Sequence, residues 1–441
     1  MPRPDPIPCF VMMPEMAAAW GRLGVDNVYL TGRAGTGKST LVQQFHATTK
    51  KQVAIVAPTG TAALNAGGVT VHSFFRFKPG IQPKEAAQIR YKNPELLRRL
   101  ECLVIDEASM VRADLMDCIE AVLRRNGPRP GQPFGGIAIM LVGDLYQLEP
   151  VCPPAESLLL RHYSSPFFFS SSAYQEASAF DRGGFATMEL THSFRQREQH
   201  FLQALDGVRD GSAAPEHLEL INGRVRSMTT LATMSYLGEP GSTMLTTHRG
   251  QVSDWNQKML DALPGDPITF QARISGNFRQ GQFPTDEFLT LKKGAKVMLL
   301  RNNLPHWVNG TIGRVLEINR YGVGVKLPSG QQAMVEEEQW DHYHYELVDG
   351  EVERVRDGSF TQLPLRLAWA STIHKAQGFN LDRALVNLTR EPFACGQLYV
   401  ALSRLRTLQG LTLTRPVQRA DIKIALAVQQ FMAEWLKGAP S

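Results

Sequence analysis

The sequence predicts an α/β protein with two parallel-sheet domains and a small β-barrel inserted into the second. Three observations in the 441-residue chain support this fold class. Short apolar runs alternate with helical stretches over residues 28–155, and a second such set occurs at 186–190, 244–247 and 383–388. Runs that are apolar on both faces are typical of a parallel sheet covered by helices. Residues 285–360 instead show short strand candidates separated by glycine, asparagine and proline.

The domain boundaries follow from these patterns. We place the first domain at residues 1–180, the second at 181–284 and 361–441, and the inserted barrel at 285–360. The chain is too long for a single hydrophobic core, which agrees with several domains. Residues 421–437 carry apolar side chains at helical spacing, so we expect a closing helix there.

The composition excludes several classes of protein. The formal net charge of +5 is a mild basic excess, which permits a polyanionic partner without establishing one. The five cysteines are far apart and form no CxxC pair, so we expect reduced thiols in a cytosolic compartment. Because the sequence has neither an apolar span of about 18 residues nor the blocks of a signal peptide, we expect a cytoplasmic protein without a targeting segment or membrane association.

A phosphate-binding loop follows the first apolar run. Residues 32–39 have the spacing glycine, four residues, glycine-lysine-serine. Glycines let the backbone amides turn inward, and the following helix N-terminus adds partial positive charge. In this pattern Lys38 reaches the outer phosphates and Ser39 binds magnesium, whereas the alternative is an ordinary tight turn. The expected nucleotide-binding residues are Gly32, Ala34, Gly35, Thr36, Gly37, Lys38, Ser39 and Thr40.

Two carboxylates end the apolar run at 102–105. A buried parallel strand delivers such acids to the phosphate site, so we expect Asp106 to hold magnesium and Glu107 to activate the water that attacks the γ-phosphate. An acidic pair that opens a solvated loop is the alternative. Because the pair follows a phosphate loop, hydrolysis is favoured over simple binding.

Three further polar residues are candidates for sensing the nucleotide. Gln147 follows the apolar run 139–142 and is placed to hydrogen-bond the attacking water and the γ-phosphate. Arg195 and Arg404 lie in the predicted second domain, where a guanidinium that crosses a cleft would stabilise charge on the γ-phosphate. Most arginines are simply solvated, and that remains the alternative for each of them.

Taken together and in this order, the motifs resemble those of superfamily-one helicases of the 5′-to-3′ branch, and most closely the Pif family, whose relatives include RecD. The resemblance spans about residues 20–415. The matching stretches are 31–39, 57–63 with 71–74, 105–110, 143–151, 194–196, 372–378 and 399–404. Residues 114–125 with 133–136 are similar to an extra signature of that family, and 293–298 and 308–313 look like its inserted barrel.

The resemblance implies an ATP-driven 5′-to-3′ DNA helicase in which two RecA-like domains clamp ATP and Mg²⁺. It also adds Gly378 to the nucleotide site and implies roles in DNA replication, repair, recombination or telomere maintenance. One feature departs from the family pattern, because no glutamine that would read adenine precedes Gln43 upstream of the phosphate loop. We therefore expect ATP as substrate with laxer base discrimination than in relatives.

The resemblance also implies a track for single-stranded DNA. Residues 76–99 are an unbalanced basic stretch at the place where relatives carry the element that splits the duplex, although a solvated face is the alternative. Its charges are Arg76, Lys78, Lys84, Arg90, Lys92, Arg98 and Arg99, against Glu85 and Glu95. The expected DNA contacts are Thr59, His72, Ser73, Phe74, Thr246, His374 and Lys375, and the charge polarity of the barrel adds Lys293 and Lys296.

Three other functions remain open at this point. The chain could be a RecD-like motor subunit of a larger recombination or nuclease complex, a nucleotide-switched DNA-binding module without translocation, or a phosphate-transferring kinase. We expect a monomer that acts on forked or structured DNA, with replication or repair proteins as possible partners.

Overall fold

The computed structural model describes residues 12–78, 80–91, 94–152, 156, 160–179, 184–278, 280–303, 306–307, 309–319, 321–348 and 351–438. The helices are α1 (Pro14–Trp20), α2 (Lys38–Thr48), α3 (Gly60–Ala66), α4 (Val71–Phe74), α5 (Pro83–Ala86), α6 (Glu95–Arg99), α7 (Ala113–Asn126), α8 (Ser172–Ala179), α9 (Gln199–Asp210), α10 (Pro215–Asn222), α11 (Thr230–Gly238), α12 (Arg249–Asp261), α13 (Gln397–Ser403) and α14 (Leu426–Gly438). Within these described ranges, no helix has both the length and the apolar character needed to cross a bilayer.

The strands begin with β1 (Val28–Gly32), β2 (Val53–Ala57), β3 (Val69–Thr70), β4 (Cys102–Ile105), β5 (Ala138–Val142), β6 (Ala186–Leu190), β7 (Ser242–Thr246), β8 (Ile268–Gln271), β9 (Arg273–Gly276) and β10 (Phe288–Leu291). They continue with β11 (Lys296–Leu299), β12 (Ile312–Asn319), β13 (Gly322–Lys326), β14 (Gln332–Val335), β15 (Glu338–Val348), β16 (Glu351–Gln362), β17 (Leu365–Leu367), β18 (Ala370–Thr372), β19 (Arg383–Val386) and β20 (Leu411–Leu413).

The first lobe is a six-stranded parallel sheet in the order β3-β2-β4-β5-β1-β6, together with the helices that pack on it. Every residue of β1, β2, β4 and β5 is buried, which explains why these strands are apolar on both faces. Because all six strands run in the same direction, the residues that follow them lie along one edge of the sheet. This edge carries the phosphate-loop, acidic and glutamine motifs.

The second lobe is a four-stranded parallel sheet in the order β18-β7-β19-β20, with α9 to α13. The predicted second α/β unit is therefore present. Strand β6 does not belong to it, however, because residues 186–190 pair in parallel with β1 in the first sheet. The sequence pattern identified this strand correctly, but an apolar run gives no information about which sheet it joins.

Between β7 and β18 the chain forms the predicted β insert. Its main part is a five-stranded antiparallel sheet in the order β14-β13-β12-β11-β17. The insert occupies residues 268–367, which is wider than the predicted 285–360, since β8 and β9 pair with β10 and β16. It shares a hydrophobic core with the second lobe, where Val297 and Val325 pack in one cluster with Met244 and Leu385.

The insert also contacts the first lobe through the long hairpin of β15 and β16. The Tyr345 hydroxyl accepts a hydrogen bond of 3.0 Å from the backbone N–H of Ile55 in β2. Its ring lies 5.3 Å from the ring of Phe74, and Tyr345 is buried in the core of the first lobe.

The predicted closing helix is α14, but it packs on the first lobe rather than on the second. The Phe431 ring stacks on Phe169 with ring centroids 4.3 Å apart and an interplanar angle of 10°. Val428 and Met432 are buried in the same cluster as Tyr29. The helical spacing of the apolar residues predicted the helix, but the surface that it covers is decided by the tertiary fold.

Candidate active site

The loop between β1 and α2 has the conformation of a phosphate-binding loop. Gly32, Gly35 and Gly37 all have positive φ, at 144°, 84° and 86°. A Cβ on Gly35 would lie 2.6 Å from the Cβ of Arg195, so only glycine fits there. The Lys38 Nζ donates to the carbonyl oxygens of Gly32 at 2.5 Å and Arg33 at 3.0 Å. The lysine is thus held over the mouth of the loop.

The other predicted residues of the loop lie where the sequence placed them. The Thr36 hydroxyl donates to Arg33 O at 3.0 Å and is buried. The backbone N–H of Ala34 donates to the Tyr399 hydroxyl at 3.1 Å, which joins the loop to α13 of the second lobe. Ser39 and Thr40 are exposed in the first turn of α2, where ligands can reach their hydroxyls.

The two predicted carboxylates follow β4 near Lys38, where Asp106 is buried and Glu107 is partly buried. Glu107 has a left-handed backbone, with φ 50°, and its N–H donates to the Asp106 Oδ1 at 2.9 Å. Burial raises the pKa of Asp106. Burial and the neighbouring Asp106 raise the pKa of Glu107 to about 7 against the opposing effect of Lys38. A carboxylate with a pKa near neutrality is suited to accept a proton from water.

A side chain from the second lobe reaches both Glu107 and Gln147. The Gln377 Nε2 donates to the Glu107 Oε2 at 3.0 Å and faces the Gln147 Oε1 at 3.4 Å. The side chain of Gln377 therefore links the predicted sensor Gln147 to the predicted base Glu107. Gly378 follows in an exposed turn with φ 86°, and its position leaves open space where a side chain would project.

Both predicted arginines lie at the seam between the lobes. The Arg195 Nη1 donates to the Ser403 carbonyl at 3.0 Å, while the Arg404 Nε donates to the Val400 carbonyl at 2.9 Å. Burial lowers the pKa of Arg195 to about 9, with a further contribution from Arg404, and lowers that of Arg404 to about 10. Among the residues that the structure describes, the buried Arg195 Nε has no hydrogen-bond partner. A bound anion between the two guanidinium groups would satisfy the Arg195 Nε and would offset the repulsion between Arg195 and Arg404.

These features test whether ATP and Mg²⁺ fit the chain. Lys38, Arg195 and Arg404 supply the positive charge that a triphosphate requires, and the left-handed glycines supply the backbone cradle. Ser39 and Asp106 offer a hydroxyl and a carboxylate, which are the oxygen ligands that Mg²⁺ takes alongside phosphate oxygens and waters. The residues present therefore fit both groups.

Sequence reasoning missed Asp144, Arg209 and Tyr399. Arg209 in α9 forms a buried ion pair with Asp144, and its Nη2 lies 3.0 Å from the Asp144 Oδ1. Asp144 stands in the same motif as Gln147, which was the available signal for it. Tyr399 lay inside the recognised motif at 399–404. Arg209 belongs to no motif, and only the tertiary fold reveals its pairing with Asp144.

Several of the predicted DNA contacts are at least partly exposed, at the carboxyl edges of the two parallel sheets or, for Lys293, in the turn between β10 and β11 of the insert. His72 and His374 are partly buried, while Lys375 and Lys293 are exposed. Burial lowers the pKa of both histidines, and nearby arginines lower it further. Thr59 and Ser73 are partly exposed, although the Thr59 hydroxyl also caps α3 by accepting from the N–H of Ala62.

Three predicted DNA contacts are wrong, because their side chains are buried. Phe74 packs in the core of the first lobe against Tyr345, as the apolar face of a short helix requires. The Thr246 hydroxyl is fully buried and donates to the Gln251 Oε1. Lys296 is 2% exposed, and its Nζ donates to the Glu239 carbonyl at 2.6 Å and the Ser242 carbonyl at 2.9 Å. Its amine therefore joins the insert to the second lobe through these hydrogen bonds.

The basic stretch at 76–99 is largely a surface feature. Lys92 lies outside the described residues. The remaining charges are exposed, namely Arg76, Lys78, Lys84, Arg90, Arg98 and Arg99. The neighbouring Phe75 and Phe77 are buried and stack on each other with centroids 5.3 Å apart, so they serve the core.

Comparisons with known proteins point to one family. Residues 17–217 match the family described as PIF1-like helicase. The chain is 35% identical over 402 residues to the human ATP-dependent DNA helicase PIF1, covering 88% of this chain and 58% of that protein. It is 33% identical over 419 residues to the ATP-dependent DNA helicase Pif1 of Bdellovibrio bacteriovorus, covering 91% and 87%. The chain thus spans little more than half of the human relative.

Solved structures agree with this assignment. The crystal structure of Bacteroides sp Pif1 in complex with ADP-AlF4 matches with a TM-score of 0.87 at 33% identity, covering 97% of this chain and 98% of that one. The structure of Bacteroides Pif1 bound to ssDNA matches with a TM-score of 0.69 at 33% identity over the same shares. The alignment with the Bdellovibrio relative, the shared fold and the motifs at the seam show that this chain belongs to the PIF1-like helicase family.

Proposed function

We propose that the chain is an ATP-dependent DNA helicase that translocates 5′-to-3′ along single-stranded DNA and unwinds duplex or structured DNA. The observation that carries this proposal is the convergence of both lobes on the phosphate loop. Tyr399 and Gln377 of the second lobe bond the phosphate loop and Glu107 of the first, and Arg404 of the second lobe lies beside Arg195. Hydrolysis at a site divided in this way is coupled to movement of the lobes.

The chain's own side chains divide the chemistry among them. Lys38 and the two arginines stabilise negative charge on the phosphates, while Glu107 takes the proton of the attacking water. Gln147 orients that water and responds to the γ-phosphate. Mg²⁺ held by Ser39 and Asp106 would neutralise charge on the phosphate oxygens.

The link to DNA runs through the turn after β18. His374 and Lys375 are accessible and stand within three residues of Gln377, which holds Glu107. A DNA strand that contacts this turn would therefore shift Gln377 and, through it, the catalytic base Glu107. The solved Bacteroides Pif1 bound to ssDNA supports single-stranded DNA as the ligand. The 5′-to-3′ polarity rests on the resemblance of the motifs.

In this proposal the protein discriminates only weakly between ATP and nucleoside triphosphates that carry other bases. Met16 of helix α1 lies next to Gly37, and its Cε is 2.9 Å from the point that a Cβ would occupy if Gly37 carried a side chain. A thioether offers no paired donor and acceptor with which to read a base edge. Comparable rates of hydrolysis of ATP and GTP would support this, and a strong preference for ATP would contradict it.

Two assays on the isolated chain test the function. ATP hydrolysis is measured with and without single-stranded DNA, and unwinding is measured on fluorescent duplexes that carry either a 5′ or a 3′ tail. We expect stimulation by DNA and unwinding of the 5′-tailed substrate, with neither activity in Lys38→Ala and Glu107→Gln. Stimulation without unwinding would instead favour a nucleotide-switched module or a subunit that needs its partner. DNA-independent turnover would contradict the proposal.

A further inference from the structure

An arginine outside every recognised motif crosses the seam between the lobes. Helix α9, which carries Arg209, packs in the core of the second lobe, where Phe201 and Leu205 lie in one cluster with Leu398. Its partner Asp144 follows β5 of the first lobe. The two lobes are thus joined by an ion pair close to Lys38, whose pKa responds to Asp144.

The geometry of the pair is specific. The Arg209 Nε lies 3.2 Å from the Asp144 Oδ1 and its Nη2 lies 3.0 Å from the same oxygen. The side chain of Asp144 is 0% exposed and that of Arg209 is 10% exposed. The guanidinium also lies 4.6 Å from the centroid of the Tyr146 ring. Because desolvation offsets the attraction within a buried ion pair, the pair is weak evidence for a role in stability alone.

Asp144 fixes the orientation of the predicted sensor. Its Oδ2 accepts a hydrogen bond of 3.2 Å from the Gln147 Nε2. An ionised carboxylate only accepts, so the amide nitrogen of Gln147 must face Asp144 and its oxygen must face the cleft. That oxygen lies 3.4 Å from the Gln377 Nε2, which donates to Glu107. A continuous chain therefore leads from Arg209 to the catalytic base.

We propose that Arg209 is a positioning residue for ATP hydrolysis, which acts by pairing with Asp144 and thereby orients Gln147, Gln377 and Glu107. The inference rests on the proposed function and adds to it a residue that acts from outside the reacting atoms. Burial alone would raise the pKa of Asp144, but Arg209 and Lys38 outweigh burial and lower it. Without Arg209, Asp144 would be protonated more readily and would donate a hydrogen bond to the amide oxygen of Gln147. The Gln147 amide would then turn over, and its Nε2 would face the Gln377 Nε2.

Other charged and titratable groups face Asp144 and remain in place when Arg209 is changed. They come from four neighbouring elements and are Tyr29, Lys38, Glu107, Tyr399 and Arg404. Substitution of Arg209 therefore removes the cation that is hydrogen-bonded to Asp144, together with an ion pair of 3.7 Å between the Arg209 Nη1 and the Glu189 Oε1, and leaves these other groups in place.

The test compares Arg209→Met with a matched control. Arg415→Met also removes an arginine that bonds both oxygens of an aspartate, since the Arg415 Nη1 and Nη2 lie 2.7 Å from the Asp421 carboxylate. DNA-stimulated ATP hydrolysis is measured as kcat, KM and a pH profile of kcat. For Arg209→Met we expect kcat to fall about 10- to 100-fold, with KM changed by less than about threefold and the acid limb moved to higher pH. For Arg415→Met we expect kcat within about twofold of the parent.

Two more variants keep the inference falsifiable if Arg209→Met folds poorly. Arg209→Lys retains the charge, so its pH profile should match the parent and its kcat should recover in part. The double variant Arg209→Met with Asp144→Asn carries no charge at either position of the pair, and its kcat should stay at least about tenfold below the parent because an amide at 144 no longer dictates the orientation of Gln147.

The outcomes separate this inference from the proposed function. A parent-like kcat and pH profile in Arg209→Met, or full recovery in the double variant, would overturn the positioning role while leaving the helicase proposal intact. A parent protein whose ATP hydrolysis does not respond to DNA would overturn both.

Discussion

Gln377 of the second lobe donates a hydrogen bond of 3.0 Å to Glu107 of the first lobe. The donor lies two residues from Lys375, an exposed candidate for DNA contact, and the acceptor is the candidate base for ATP hydrolysis. One side chain thus connects the turn that carries a candidate DNA contact with the candidate base. If DNA binds this turn, the contact provides a physical route from DNA binding to the rate of hydrolysis.

The first prediction concerns this contact. In Gln377→Ala the base loses its donor from the second lobe, so we expect the ratio of DNA-stimulated to unstimulated hydrolysis to fall about fivefold or more. Affinity for a labelled single-stranded oligonucleotide should change by less than about twofold. Gln257→Ala, on the exposed face of α12, is the control. A stimulation ratio equal to that of the parent would refute the route.

The second prediction concerns the bond between the phosphate loop and α13. Tyr399→Phe removes the hydroxyl that accepts from the Ala34 N–H and leaves that buried donor without an acceptor. A lost hydrogen bond is worth about 1 kcal/mol, so kcat/KM for ATP should fall about fivefold. The matched control is Tyr174→Phe in the core of the first lobe, away from the loop. Steady-state kinetics measure both, and equal values for the two variants would contradict the prediction.

The third prediction concerns the exposed Lys293. If it contacts phosphate, Lys293→Glu should weaken single-strand binding and reduce the slope of log K against log salt by about one. The thermal midpoint should stay the same, because the side chain lies on the surface. Lys50→Glu, which reverses an exposed charge at the opposite edge of the first sheet, should leave the slope unchanged. Titrations by fluorescence anisotropy at several salt concentrations measure this.

The fourth prediction concerns the buried Lys296. Burial lowers its pKa to about 7, helped by Arg314 and Arg383 and opposed by Glu239. In the unfolded chain the lysine returns to its ordinary pKa of 10.5, so between pH 7 and 10 the unfolded state binds more protons than the folded state.

Stability of the parent should therefore rise with pH across this window, relative to Lys296→Met, by at most about 1.4 kcal/mol per pH unit. Urea unfolding of both proteins at pH 7 and pH 9 measures the difference in the free energy of unfolding. A constant difference between the two proteins at both pH values would show that the lysine does not titrate there.

Local patterns were sufficient for the fold class and for naming most residues of the candidate nucleotide site. The spacing of glycines around Lys38, and of acids after β4, reflects chemistry that is confined to a few consecutive residues, so it is visible in the sequence. The positions of Gln147, Arg195 and Arg404 at the seam also follow from motifs that the chain shares with its family.

Burial and long-range pairing were not accessible in the same way. Lys296 and Phe74 have the residue types of a nucleic-acid surface, but the fold turns one toward the end of α11 and the other into the first core. Arg209 stands 65 positions from Asp144, and nothing in the local sequence distinguishes it from a solvated arginine. The contact between α14 and the first lobe likewise depends on the path of the whole chain.

The packing of α14 has a consequence for biosynthesis. The ring of Phe431 completes the aromatic cluster that contains Phe169, although more than half of the chain separates the two in synthesis. When all six strands of the first sheet have been translated, α14, the helix that covers one face of this lobe, has not yet been synthesised. We therefore expect apolar surface of the first lobe to stay exposed until translation is nearly finished. The first lobe then completes its folding only after α14 has been synthesised, although its sheet is made first.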